Sequence, residues 1–147
     1  MTLKFYYINL KNSENRNKNM ELFFKNLSEI IDIKYERIEA FNGYKENINN
    51  YLLDSNINSL YSSLIKERPN STRNVLLKKG EFGCLYSHLK AINLFLKSNE
   101  KYCFICEDDL DPNILNYYDK KVFTKKIKKI ISKIDKYGII SLSCVGP

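Results

Sequence analysis

The fold class that the sequence predicts is α/β, with a mostly parallel central sheet flanked by helices. Three observations carry this. Short aromatic and β-branched runs alternate with longer stretches of helical apolar spacing, in the order β-α-β, a polar segment, then α-β-α-β. Such alternation builds parallel sheets with helices on their faces. The run Lys101 to Cys106 (KYCFIC) is short and almost wholly apolar, the type of strand buried on both faces of a parallel sheet. It passes directly into Glu107-Asp108-Asp109-Leu110-Asp111-Pro112, and open α/β sheets bind their ligands at the carboxyl ends of strands.

In chain order, Lys4 to Leu10 (KFYYINL) reads as the first strand. Asn12 and Ser13 are helix-starting residues, after which Met20, Phe23, Phe24, Leu27, Ile30 and Ile31 recur at helical spacing. A helix from about Ser13 to Ile31 with one buried stripe follows. Ile33 to Phe41 (IKYERIEAF) alternates as a second strand and closes on the turn signal Asn42-Gly43. Tyr44 to Lys79 is rich in Asn and Ser and contains Pro69. It reads as a long loop or insertion, with a short helix near Ile57 to Lys66, and long loops of this kind are usually functional or mobile. Glu81 to Ser98 is a helix that aligns Phe82, Leu85, Leu89, Ile92 and Leu96. Asp119 to Lys136 is amphipathic, with Phe123, Ile127, Ile130, Ile131 and Ile134 on the buried side and lysines over the rest. Gly138 stops it, and Ile139 to Val145 reads as a last strand. Residues 1–147 form a single domain in this reading.

The bulk properties narrow the function. A chain of 147 residues with 44% hydrophobic and 28% charged residues has the composition of one globular domain. No apolar run approaches the roughly 20 residues that cross a bilayer. Met1 to Leu10 goes straight into a strand-like run without the features of a signal peptide, so a cytoplasmic location is expected. The net charge of +7 favours anionic ligands, among them nucleic acid, acidic membranes and nucleotide sugars. The lysines of the last helix surround its apolar stripe on every exposed side, the pattern of a solvated helix, so no nucleic-acid partner is expected. Cys84, Cys103, Cys106 and Cys144 lie in apolar segments and are expected as reduced thiols. Cys103 and Cys106 mimic a chelating pair, but three residues apart on a strand they face opposite ways.

The acidic strand end is the sharpest chemical feature. Three or four carboxylates repel one another unless a cation sits among them, and oxygen ligands suit Mg²⁺ or Mn²⁺, which bridge to phosphate oxygens. If the strand persists, parity places Glu107 and Asp109 on one face and Asp108 on the other. Asp109-Leu110-Asp111 also spells Asp-x-Asp. The competing reading is a solvated acidic turn ahead of Pro112. His88, the single histidine, lies at the edge of the apolar face of its helix, where a buried structural role competes with a site role.

Four segments, in order, resemble glycosyltransferase family 25, the lipopolysaccharide-type enzymes that also include collagen galactosyltransferases. Tyr7-Ile8-Asn9-Leu10 with Arg16 is similar to the family's opening strand and downstream arginine. Arg37 to Gly43 (RIEAFNG) is similar to its second strand and turn. Gly80 to Leu89 (GEFGCLYSHL) is close to its Gly-Glu-Ile-Gly-Cys-x-x-Ser-His motif, and Phe104 to Leu110 (FICEDDL) matches its Glu-Asp-Asp strand end.

The resemblance implies the nucleotide-sugar-binding part of a GT-A domain. It implies inverting transfer of a hexose, galactose or glucose, from a UDP-sugar to a glycan or hydroxylated protein acceptor, with Mn²⁺ (or Mg²⁺). It implies that Asp108 and Asp109 act catalytically by holding the metal on the diphosphate, with Asp111 as a further ligand. Ile8 and Asn9 would meet the base or ribose, and Arg16 the diphosphate, although a helix-surface arginine is an equal reading. Glu107 would complete the cluster. Gly83 would allow close approach at a helix start that favours phosphate. His88 would contact sugar or pair with Glu81.

The family's domain is longer than this chain, which is expected to be its N-terminal part. The acceptor site, a further metal ligand and the general base are then expected beyond residue 147. A second reading is a non-catalytic remnant that binds a nucleotide or partner chain, and a third is a basic nucleic-acid-associated protein. An apolar last strand left at a sheet edge would favour self-association or pairing with a complementary fragment.

Overall fold

The computed structural model describes residues 2–46, 79–117 and 119–137. The strands are β1 (Leu3–Asn9), β2 (Ile33–Glu39) and β3 (Cys103–Glu107), and the helices α1 (Glu14–Ser28), α2 (Lys79–Leu96) and α3 (Lys120–Tyr137), with a 3₁₀ turn at Ile114–Tyr117. The strands form one parallel sheet in the order β2-β1-β3. The expected helix near residues 57–66, most of the loop 44–79 and the expected strand 139–145 lie outside the described residues.

β1 is central because it is apolar on both faces. Leu3, Phe5 and Tyr7 enter one core with Met20, Phe23, Phe24 and Leu27 of α1, Leu115 and Ile131 of α3. Tyr6 and Ile8 enter a second core with Ile38 and with Ala91 of α2. The sheet is thus sandwiched between α1 and α3 on one side and α2 on the other, which is the predicted α/β class. The doubly buried strand, however, is β1 rather than β3. Among the described residues β3 pairs with β1 alone, from Lys4↔Cys103 to Ile8↔Glu107, and its residues Cys103 to Cys106 are half-buried. Covering both faces of a strand takes neighbours on both edges as well as helices above and below.

Element ends differ from expectation for local reasons. α1 ends at Ser28 where its bonds tighten to the i−3 type, from the Glu29 N–H to Asn26 and from the Ile30 N–H to Leu27, and Ile30 and Ile31 still pack on the core. β3 continues to Glu107 because Ile8 of the central strand still offers it a partner. α3 begins as expected: Asp119 Oδ1 accepts the N–H groups of Lys121 at 2.9 Å and Val122 at 3.0 Å, an N-cap that satisfies two donors of the first turn.

α2 corrects the sequence reading most. Its buried residues are Phe82, Gly83, Ser87 and Ala91, whereas Ile92 and Leu96 of the expected stripe are 38% and 73% exposed. Spacing of large apolar residues misleads here, because the helix is drawn against the chain by its small residues. A Cβ on Gly83 would lie 2.7 Å from the Phe41 carbonyl oxygen and 3.1 Å from the Gly43 nitrogen. A Cβ on Gly43 would overlap the Lys79 carbonyl. Backbone therefore packs on backbone where the turn after β2 meets α2. Ser87 ties the two together: its hydroxyl donates to the Gly83 carbonyl at 2.6 Å and accepts the Phe41 N–H at 2.8 Å. No helix among the described residues is long and apolar enough to cross a membrane.

Candidate active site

The chain leaves β1 for α1 and β2 on one side, then returns through α2, on the opposite face, to β3 on the other side of β1. Between the carboxyl ends of β1 and β3 the connections therefore diverge, and such a switch point opens a crevice in α/β sheets. A cleft of about 230 Å³ lies here, with Ile8, Arg16, Gly83, His88, Glu107 and Asp108 among its lining residues. Six of the residues singled out in the sequence are thus brought together. Phe41 to Tyr44 and Ser87 complete one wall.

On the α1 side, Asp108 is the organiser. Its Oδ2 accepts from Asn9 Nδ2 at 2.6 Å and its Oδ1 from Arg16 NH1 at 2.9 Å. Asn9 is 1% exposed, and its Nδ2 also donates to the Ser13 carbonyl at 3.3 Å, so the end of β1, the start of α1 and the end of β3 share one amide. Asn9 Oδ1 is a buried acceptor without a partner among the described residues. Arg16 lies in the first turn of α1, with a side chain 61% exposed against 11% for Asp108. The pair is therefore anchored from the aspartate, while the guanidinium stands toward solvent and the cleft.

On the α2 side, Glu107 points away from Asp108, as strand parity requires. Its Oε1 accepts from the Cys84 thiol at 3.5 Å and lies 4.0 Å from His88 Nε2. Cys84 and His88 are one helical turn apart, with Sγ 3.7 Å from Nδ1. His88 Nδ1 is also 3.0 Å from the Cys84 carbonyl oxygen. Burial, and then the neighbouring Glu107 carboxylate, raise the Cys84 thiol above its ordinary value. Gly83 and Ser87 face the β2 turn, and the residue after each, Cys84 and His88, faces the cleft.

Asp109 follows Asp108 in the turn beyond β3. It is exposed and holds no hydrogen bond or salt bridge among the described residues. Asp111 Oδ1 accepts the Asn113 N–H at 2.8 Å, closing the turn that contains Pro112. Neither residue lines the cleft. Gly83 is the fifth residue of α2, beyond the first-turn N–H groups that could meet a phosphate, and its missing side chain makes room for the chain's own backbone. Cys103 packs with the α2-side core and Cys106 with the α1-side core, on opposite faces as expected. Cys84 is the residue that sequence reasoning left without a role. Its signal was the four-residue spacing to His88, but its approach to Glu107 depends on which face of α2 turns to the sheet.

The description Glycosyltransferase family 25 (LPS biosynthesis protein) matches residues 2–144. The chain belongs to glycosyltransferase family 25. No curated protein and no solved structure matches it. Family membership makes the chain a glycosyltransferase by descent, and a sugar donor and an acceptor are the substrates that go with the family. In this family 25 chain, the stretch Gly80 to His88 serves two ends at once. Gly83 and Ser87 lock α2 onto the turn Asn42-Gly43, and that lock presents Cys84 and His88 to the Glu107 end of β3.

Proposed function

We propose that the cleft binds the diphosphate of a UDP-hexose and that the domain transfers galactose or glucose, with inversion, to a hydroxyl of a glycan or of a hydroxylated protein. The observation that carries this reading is the convergence of Asn9, Arg16 and Asp108 at the carboxyl ends of β1 and β3, with Asp109 next in the chain, in a member of a glycosyltransferase family and in the sheet position favoured by nucleotides. In outline, the acceptor oxygen attacks the anomeric carbon and the bond from that carbon to the β-phosphate oxygen breaks. UDP leaves with the bonding electrons, and the hydroxyl proton passes to a base that we do not assign.

The residues present fit a hard divalent cation of the Mn²⁺ or Mg²⁺ class. Asp109 is exposed beside Asp108, Asn9 Oδ1 is a buried acceptor without a partner among the described residues, and all three offer oxygen. Asp108 and Asp109 would hold the ion, which when bound supplies positive charge against the departing diphosphate. Asp111 would join them through Oδ2, since its Oδ1 accepts the Asn113 N–H. Arg16 would exchange Asp108 for a diphosphate oxygen, a swap its exposure permits, and Asn9 would keep Asp108 in place meanwhile. Ile8, on the α2-side face of β1, would offer an apolar floor to the base or ribose, and His88 and Glu107 would stand at the sugar end. The strand ends and helix starts would then play the parts they have in a GT-A domain.

Calorimetric titration tests this reading. UDP should bind more tightly with Mn²⁺ present, and Asp109→Asn should weaken that metal-dependent part while the protein stays folded. Metal-independent or absent UDP binding would overturn it. Metal-dependent UDP binding without turnover of any UDP-hexose would favour a binding remnant over an enzyme.

A further inference from the structure

We propose that Cys84, His88 and Glu107 form a site for a thiophilic divalent cation of the zinc class, on the α2 wall of the cleft and distinct from the oxygen-only corner of Asp108 and Asp109. Three different ligand chemistries converge from two elements. Cys84 and His88 stand one turn apart on α2 and Glu107 ends β3. Ligand atoms of the three side chains lie within 4.8 Å of one another. Tetrahedral ligands at about 2.0–2.3 Å from zinc are separated from each other by about 3.3–3.7 Å. The distance from Sγ to Glu107 Oε1 is already 3.5 Å, and that from Nε2 to the same oxygen is 4.0 Å. The remaining edge of the set is no longer than 4.8 Å, so side-chain rotations within the cleft would bring the three ligand atoms onto one ion.

The histidine supplies a second, independent argument. Metal-bound histidines characteristically donate their other ring N–H to a carbonyl or carboxylate, which fixes the tautomer and aims the free lone pair. His88 is placed for this: Nδ1 lies 3.0 Å from the Cys84 carbonyl oxygen, which leaves Nε2, 4.0 Å from Glu107 Oε1, as the nitrogen free to meet a metal. A thiolate and an imidazole select zinc-class ions over Mn²⁺ or Mg²⁺. Three protein ligands leave a fourth position, as in zinc sites that bind a further molecule, and here the three side chains line the cleft. On binding, the Cys84 thiol gives its proton to solvent and a metal–sulfur bond forms, with no change of oxidation state. The proposal needs neither Asp109 nor nucleotide binding, so it stands or falls apart from the donor-site reading.

The test is Co²⁺ titration of the reduced, metal-free chain, followed by displacement with Zn²⁺. One equivalent of Co²⁺ should give a thiolate-to-metal charge-transfer band with the intense visible bands of tetrahedral cobalt, and Zn²⁺ should abolish both. Cys84→Ser should remove the charge-transfer band. His88→Gln should keep a sulfur band but weaken binding by more than about tenfold, and Asp109→Asn should change neither. The wild-type chain offers a measurement independent of variant folding, in which Zn²⁺ should protect Cys84 from alkylation, read by peptide mass spectrometry. Absence of the band in folded wild-type protein, its survival in Cys84→Ser, its loss in Asp109→Asn, or equal alkylation of Cys84 with and without Zn²⁺ would each overturn the proposal.

Discussion

Replacing Asp108 with alanine separates two roles that the acidic strand end combines. Asn9 is buried to 1% exposure, and without Asp108 its Nδ2 keeps only the Ser13 carbonyl at 3.3 Å. Its Oδ1 already lacks a partner among the described residues. Leaving a buried polar group short of a partner costs about 1–3 kcal/mol. Loss of the Arg16 pair adds little, because the guanidinium side is 61% exposed and exposed pairs contribute little. Asp108→Ala should therefore lose about 1–3 kcal/mol in the absence of any ligand, and Arg16→Ala clearly less. For a chain near this size, 1 kcal/mol shifts the melting midpoint by roughly 2–4 °C. Urea and thermal melts of the two variants should thus separate clearly, and the double variant Asn9→Ala/Asp108→Ala should be less destabilised than the sum of its parts. Asp108→Ala as stable as wild type, or no more perturbed than Arg16→Ala, would refute the claim that Asp108 organises the junction of β1, α1 and β3.

Further outcomes follow from the same geometry. Asp109→Asn should leave the melting midpoint within about 0.5 kcal/mol of wild type, since its side chain bonds nothing among the described residues; a large loss would mean that the residue is structural. Ser87→Ala should cost about 1–3 kcal/mol by denaturant titration, because the buried Phe41 N–H loses its acceptor. Gly43→Ala should be worse, since a Cβ has no room against the Lys79 carbonyl, and circular dichroism should report a largely unfolded or rearranged chain. Tyr7→Phe removes a buried hydroxyl that donates to Glu21 Oε1 at 2.7 Å; because the acceptor is charged, a loss of about 1.5–3 kcal/mol is expected in thermal melts.

Local signals in the sequence carried much of the architecture. The buried stripes of α1 and α3 and the opposition of Cys103 and Cys106 follow from period alone, whereas the apolar run of β3 pointed to the wrong strand as the one buried on both faces. Long-range placement did not follow in the same way. Asn9 and Asp108 are 99 residues apart, and Arg16 and Asp108 are 92 apart. They meet only because β3 pairs beside β1 in the register that sets Ile8 against Glu107. The face of α2 was misread because apolar periodicity weighs large side chains, while this helix is positioned by Gly83, Ser87 and Ala91. That error concealed the meeting of Cys84 and His88 with Glu107, although the spacing of the first two was visible. Asp111 stood out by its Asp-x-Asp spacing, and the turn at Pro112 gives its Oδ1 a second task that spacing does not show, accepting the Asn113 N–H.

The most direct test of the donor-site account is to watch where manganese and nucleotide act. In amide-resolved NMR spectra of the labelled chain, Mn²⁺ with UDP should broaden first the resonances of Asn9, Arg16, Asp108 and Asp109, with those of Cys84 and His88 affected next across the cleft. The lysine-covered face of α3 should stay sharp. Asp109→Asn should need markedly more Mn²⁺ for the same broadening. Broadening centred on α3, or spread without regard to the carboxyl ends of β1 and β3, would contradict the claim that this crevice is where the family's chemistry takes place.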